Sequence, residues 1–84
     1  MTGSYALMNE SKRAGLTIRC TAPDGSHADY LPIGEVLPDT WVRRYSGDTH
    51  AHLCEWPAVR NSIRLCEPDV ELLPEDQFGV FDGE

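Results

Sequence analysis

After Gly15 the chain is cut by turn-forming residues at intervals of about ten residues, a spacing that leaves room for short strands and little for long helices. Pro23-Asp24-Gly25, Pro32 with Gly34, Pro38-Asp39, Ser46-Gly47-Asp48, Pro57, Pro68 and Pro74 are the interruptions. Each brings either a φ angle fixed by the proline ring, an Asp or Ser side chain that bonds nearby backbone, or a glycine able to take positive φ. Between these turns the apolar residues alternate. Leu16, Ile18 and Cys20 project to one side and Thr17, Arg19 and Thr21 to the other, the period of a half-buried strand. His27–Leu31 reads as the returning strand, which resumes at Glu35-Val36-Leu37 after a bend at Pro32 and Gly34. Trp41–Tyr45 and Thr49–Glu55, joined by Ser46-Gly47-Asp48, form a hairpin. Trp56-Pro57-Ala58-Val59 reads as an exposed one-turn connector, Ser62–Cys66 as a further strand with Ile63 and Leu65 inward, and Val70-Glu71-Leu72 as an edge segment.

The expected architecture is therefore mainly β, a small single-domain barrel or a curled antiparallel sheet spanning residues 15–73. Residues 1–14 precede it as an arm or a short helix, with Ser4 as a candidate N-cap and Gly15 as the residue beyond its end. Residues 74–84 follow as an acidic tail, whose Phe78, Val80 and Phe81 either dock onto the domain or await a partner. The order of elements over residues 15–73 is strand, long loop, central hairpin, short connector and final strand. It resembles that of small SH3-like barrels, a likeness of layout that implies a fold and no activity.

A chain of 84 residues holds one core, and its 40% of apolar residues are spread along the sequence as folding requires. No apolar stretch reaches the length of a membrane span and no apolar leader opens the sequence, so a cytoplasmic protein without membrane association is expected. Cys20, Cys54 and Cys66 cannot all pair within one chain and are read as reduced, each most simply a small buried hydrophobe.

The net charge of −7 is unevenly placed: residues 1–45 carry five basic and five acidic groups, residues 46–84 two and nine. A field of that sign repels phosphate backbones and disfavours direct nucleic-acid binding, whereas a basic protein surface suits it. Glu67, Asp69 and Glu71 are the carboxylates expected to meet such a partner, although acidic residues also serve solubility alone. Trp41, Arg43 and Tyr45 alternate onto one face, and aromatics interleaved with a planar cation are typical interface anchors; packing of the two aromatics into the core is the competing reading. Trp56 beside Pro57 is a second candidate anchor.

His50, His52 and Cys54 fall at alternate positions of one strand, with Cys66 expected on a neighbouring strand, and imidazoles with thiolates are a zinc ligand set. His50 and Cys54 lie about 13 Å apart along an extended strand, so only His50 with His52, or His52 with Cys54, could share an ion, with donors from elsewhere. Protonation of the paired histidines near pH 6 would also make partner binding depend on pH. Nothing supports catalysis: no phosphate loop is present, and neighbours such as His52 and Cys54 point in parallel without an orienting group. The sequence thus predicts a non-enzymatic protein-binding module of accessory, regulatory or inhibitory kind, with no cofactor. The alternative is a zinc or redox protein built on His50, His52, Cys54 and Cys66. Homodimerisation through an exposed strand edge is compatible with either.

Overall fold

The computed structural model describes residues 3–33 and 39–81. Helix α1 (Ser4–Ala14) opens the chain, followed by strands β1 (Thr17–Thr21), β2 (His27–Pro32), β3 (Thr40–Tyr45) and β4 (His52–Glu55), helix α2 (Trp56–Cys66), strand β5 (Val70–Leu73) and a single 3-10 turn at Glu75–Gln77. The strands form one antiparallel sheet in the order β4-β3-β2-β1-β5. The arrangement is mainly β, a five-stranded sheet with two helices. Of the barrel and the curled antiparallel sheet expected, it is an antiparallel sheet: β4 and β5 stand at opposite edges, and among the described residues no strand pairing closes them into a barrel.

Helix α1 ends where Gly15 takes φ 66°, a left-handed turn that a side chain would oppose, and Lys12 and Arg13 in the last turn suit the negative end of the helix dipole. The Ser11 hydroxyl donates to the Leu16 carbonyl, and the Leu16 N–H to the Ser11 carbonyl at 3.0 Å, which fixes the entry into β1. Both helices pack on one face of the sheet. There Ile18, Cys20, Ala28, Tyr30 and Trp41 meet Trp56, Val59 and Ile63 of α2, with Leu7 and Met8 of α1 at the margin. The Trp41 and Trp56 rings sit 5.6 Å apart and tilted, a favourable arrangement for large apolar rings.

Helix α2 corrects two sequence expectations. Residues 62–66 form its last turns and not a strand, and Trp56 is not on an exposed connector but only 7% exposed at its start. Trp56, Val59 and Ile63 recur at the three- and four-residue spacing of a buried helical stripe, and Pro57 occupies the first turn, where a missing N–H leaves no broken hydrogen bond. Leu65, expected inward, lies about 200° round the helix from Ile63 and is 80% exposed. The resumed segment Glu35-Val36-Leu37 lies outside the described residues. No helix among the described residues is long and apolar enough to cross a membrane.

The opposite face of the sheet is covered by the tail over β1, β2 and the adjoining part of β3. Asp29, fully buried on β2, accepts Nε and Nη2 of Arg19 at 2.9 Å each and the N–H of Gly79 at 2.8 Å. Arg19 also donates to the carbonyls of Gln77 (3.1 Å) and Val80 (2.7 Å), and Arg44 to that of Gly79 (3.0 Å). Phe81 stacks on His27 at 5.5 Å beneath the Arg19 guanidinium, so it docks, as does the half-buried Phe78, while Val80 faces outward.

Candidate protein-binding groove

On the helical face, the sheet and α2 leave a groove of about 430 Å³ at the end where β1 turns into β2. Its floor follows from strand register. Cys20 pairs with Ala28 and Ala28 with Tyr45, so the three side chains form a row on one face, small in the middle, where a larger residue would fill the space. One wall is the last two turns of α2, Ser62, Leu65 and Cys66; the other is the β1–β2 turn, Ala22, Pro23, Ser26 and His27. That turn is rigid for local reasons: Gly25 takes φ 88°, and the Asp24 carboxylate accepts both the N–H (2.9 Å) and the hydroxyl (2.6 Å) of Ser26. These two bonds hold the Asp24 carboxyl below its ordinary range. Tyr45 and Leu65 form exposed apolar lips.

Burial pushes the Cys20 thiol up to about 12, an effect only partly offset by its hydrogen bond with Ser62, and burial also raises Cys66 beside it. Burial likewise raises the Tyr30 hydroxyl. Thiols held protonated in this way are poor nucleophiles at neutral pH.

Carboxylates stand at the neighbouring sheet edge. Cys20 is opposite Val70 in the β1–β5 ladder, and Glu67, Asp69 and Glu71 are all exposed along that edge, Glu71 on the far face with its partner Arg19. Asp69 and Glu71 line a second, shallower hollow of about 370 Å³ with Thr21, Pro68 and Val70, and the Asp69 carbonyl accepts the Thr21 N–H at 2.9 Å.

Of the residues expected at a partner surface, Trp41 and Trp56 are in the core. Tyr45 lines the groove, with the Arg43 guanidinium 4.6 Å from its ring centre, whereas the three acidic residues are exposed at the β5 edge and do not line it. The histidine and cysteine set is divided. His50 is exposed ahead of β4; His52 and Cys54 alternate onto the helical face of β4. Cys66 is not on a strand but closes α2 beside Cys20, and β1 lies three strand spacings, about 14 Å, from β4. Among the described residues, no three of His, Cys, Asp or Glu gather as metal ligands within one chain. Sequence reading missed Ala28, Ser62 and Leu65 as groove residues; the small Ala28 between two strand partners was the only available signal.

No protein family, curated protein or solved structure matches the chain. Geometry and chemistry therefore carry the functional reading.

Proposed function

We propose that the protein is a non-enzymatic binding module, a small accessory, regulatory or inhibitory protein that holds a partner through this groove. An apolar side chain of the partner enters between Tyr45 and Leu65, and basic residues of the partner that reach round the adjoining β5 edge meet Glu67, Asp69 and Glu71. The observation that carries the reading is the apolar groove with exposed lips on the helical face, one strand in from a sheet edge, β5, at which Glu67, Asp69 and Glu71 are exposed. Apolar contact supplies affinity in such an arrangement, while charge steers encounter and selects a basic partner. The groove's two thiols, buried Cys20 and half-buried Cys66, are both held protonated by burial, which supports binding over thiol catalysis. The three unpaired cysteines suit a reducing compartment such as the cytoplasm.

Selection from a displayed random-peptide library tests this reading. Enriched peptides are expected to combine Lys or Arg with a large apolar residue, to lose binding to Leu65→Glu, and to bind the Glu67→Gln, Asp69→Asn, Glu71→Gln variant more weakly, with a smaller salt dependence. Enrichment that is equal on the wild type and on Leu65→Glu would refute it.

A further inference from the structure

The β4 edge carries a second site, remote from the groove. The Trp56 N–H donates to the Asp39 carbonyl at 3.1 Å, so by the alternation of an antiparallel ladder Cys54 and His52 also bond inward to β3. The backbone groups of Leu53 and Glu55 therefore point away from the sheet. Leu53 itself is 67% exposed on the face opposite the helices, an apolar residue at the centre of an open edge.

We propose that two copies of the chain pair antiparallel through β4 about a two-fold axis at Leu53, and that this pairing completes a zinc site from His52 and Cys54 of both copies. A two-fold axis perpendicular to the sheet keeps each face continuous across the junction. Leu53 then meets Leu53 of the second copy, exchanging both backbone hydrogen bonds, and His52 falls opposite the second copy's Cys54 on the helical face. Such non-hydrogen-bonded neighbours lie about 4.5 Å apart at Cα, and His52 and Cys54 of one strand about 6.7 Å. The four side chains thus rise around one point about 4 Å, in the plane of the sheet, from each Cα. Cysteine sulfur at about 2.3 Å and histidine nitrogen at about 2.0–2.1 Å from an ion can meet there as a tetrahedral set of two nitrogens and two sulfurs. One chain supplies only half of this set, and among the described residues a single copy gathers no three ligands.

The charges also match. Each Cys54 thiol passes its proton to the buffer as zinc binds, two protons per ion, so two thiolates neutralise the metal. Arg43, opposite His52 in the β3–β4 ladder, adds positive charge beside the thiolates. The acidic β5 edge lies four strand spacings away, about 19 Å, and the groove lies beside it on β1 and β2, so the dimer leaves both open and the two proposals fail independently.

Untagged full-length protein, stripped with chelator and titrated with zinc chloride, tests the inference by native mass spectrometry and sedimentation. The expected result is a zinc-driven doubling of mass with one zinc per two chains, lost in His52→Ala and in Cys54→Ser and retained in His50→Ala. Leu53→Glu, which leaves all four ligands in place, is expected to abolish the dimer as well; circular dichroism verifies that each variant is folded. A ratio of one zinc per chain, no zinc-dependent change in mass, or a zinc-linked dimer that persists in folded His52→Ala or Cys54→Ser would overturn it.

Discussion

Replacing Asp29 with alanine tests the argument that the tail is part of the fold. Asp29 is fully buried and takes three hydrogen bonds, two from Arg19 and one from the Gly79 N–H, while the Arg19 side chain is 13% exposed. Removing one member of a buried ion pair leaves the other charge without compensation and costs about 3–5 kcal/mol. A domain of this length has a total stability of about 4–13 kcal/mol, at about 0.05–0.15 kcal/mol per residue. The loss is thus a large share of the whole, and 3 kcal/mol corresponds to a fall in melting temperature of about 12–24 °C. Thermal and urea unfolding followed by circular dichroism measure the loss, and hydrogen exchange at the Gly79 amide reports release of the tail. A double-mutant cycle with Arg19→Met assigns the shared part: once Arg19 is gone, removing Asp29 should cost markedly less. A fall below about 4 °C with unchanged protection at Gly79 would show that the buried pair does not hold the tail, and the reasoning would fail.

Three further outcomes are expected. Gly79→Ala places a Cβ at φ 75° and 2.8 Å from Nη1 of Arg44, so it should destabilise by about 1–3 kcal/mol and speed proteolysis of the tail, read by thermal melting and limited digestion. The Cys20 thiol holds its proton to about 12 in the folded chain against an ordinary value of 9.0, so above pH 9 the unfolded chain releases the proton first and stability should fall with rising pH. The slope approaches about 1.4 kcal/mol per pH unit between those values; urea midpoints at pH 8, 9 and 10 should show a steeper decline in the wild type than in Cys20→Ala. Leu65→Glu alters a residue that is 80% exposed, so its stability should stay within about 0.5 kcal/mol of the wild type while groove binding is lost, as urea unfolding and peptide binding will show together.

The first three strands were legible because the signals agreed. Alternation over Leu16–Thr21 coincided with the Pro23-Asp24-Gly25 turn, and Trp41–Tyr45 joined β-favouring residues to a glycine turn. Helix α2 was misread because Ile63 and Leu65 satisfy a period of two, whereas the helical stripe needs Trp56, Val59 and Ile63 taken together across the proline. Pro57 looked like a break and is a first-turn residue. The burial of Asp29 had no local sign, since its partners are ten and fifty residues away and an aspartate in a strand ordinarily faces water. The groove is collected from three strands, a turn and a helix, and its emptiness follows from the small size of Ala28 relative to its neighbours. The acidic edge was visible as charge density, but its place one strand from the groove depends on β5 pairing with β1, a contact across fifty residues.

The way in which the tail is held has a consequence for how this sequence can drift. Arg19 and Arg44 take hold of the carbonyls of residues 77, 79 and 80, and Asp29 takes the N–H of residue 79, so three of the last described positions are recognised by their main chain. Those groups are common to nearly every amino acid. The side chains of Gln77 and Val80 are therefore open to substitution with little effect on docking, while Gly79 is restricted by its φ angle and its contact with Arg44, and Phe81 by its stack on His27. A closure of this kind can keep its grip while the outward surface of the tail changes.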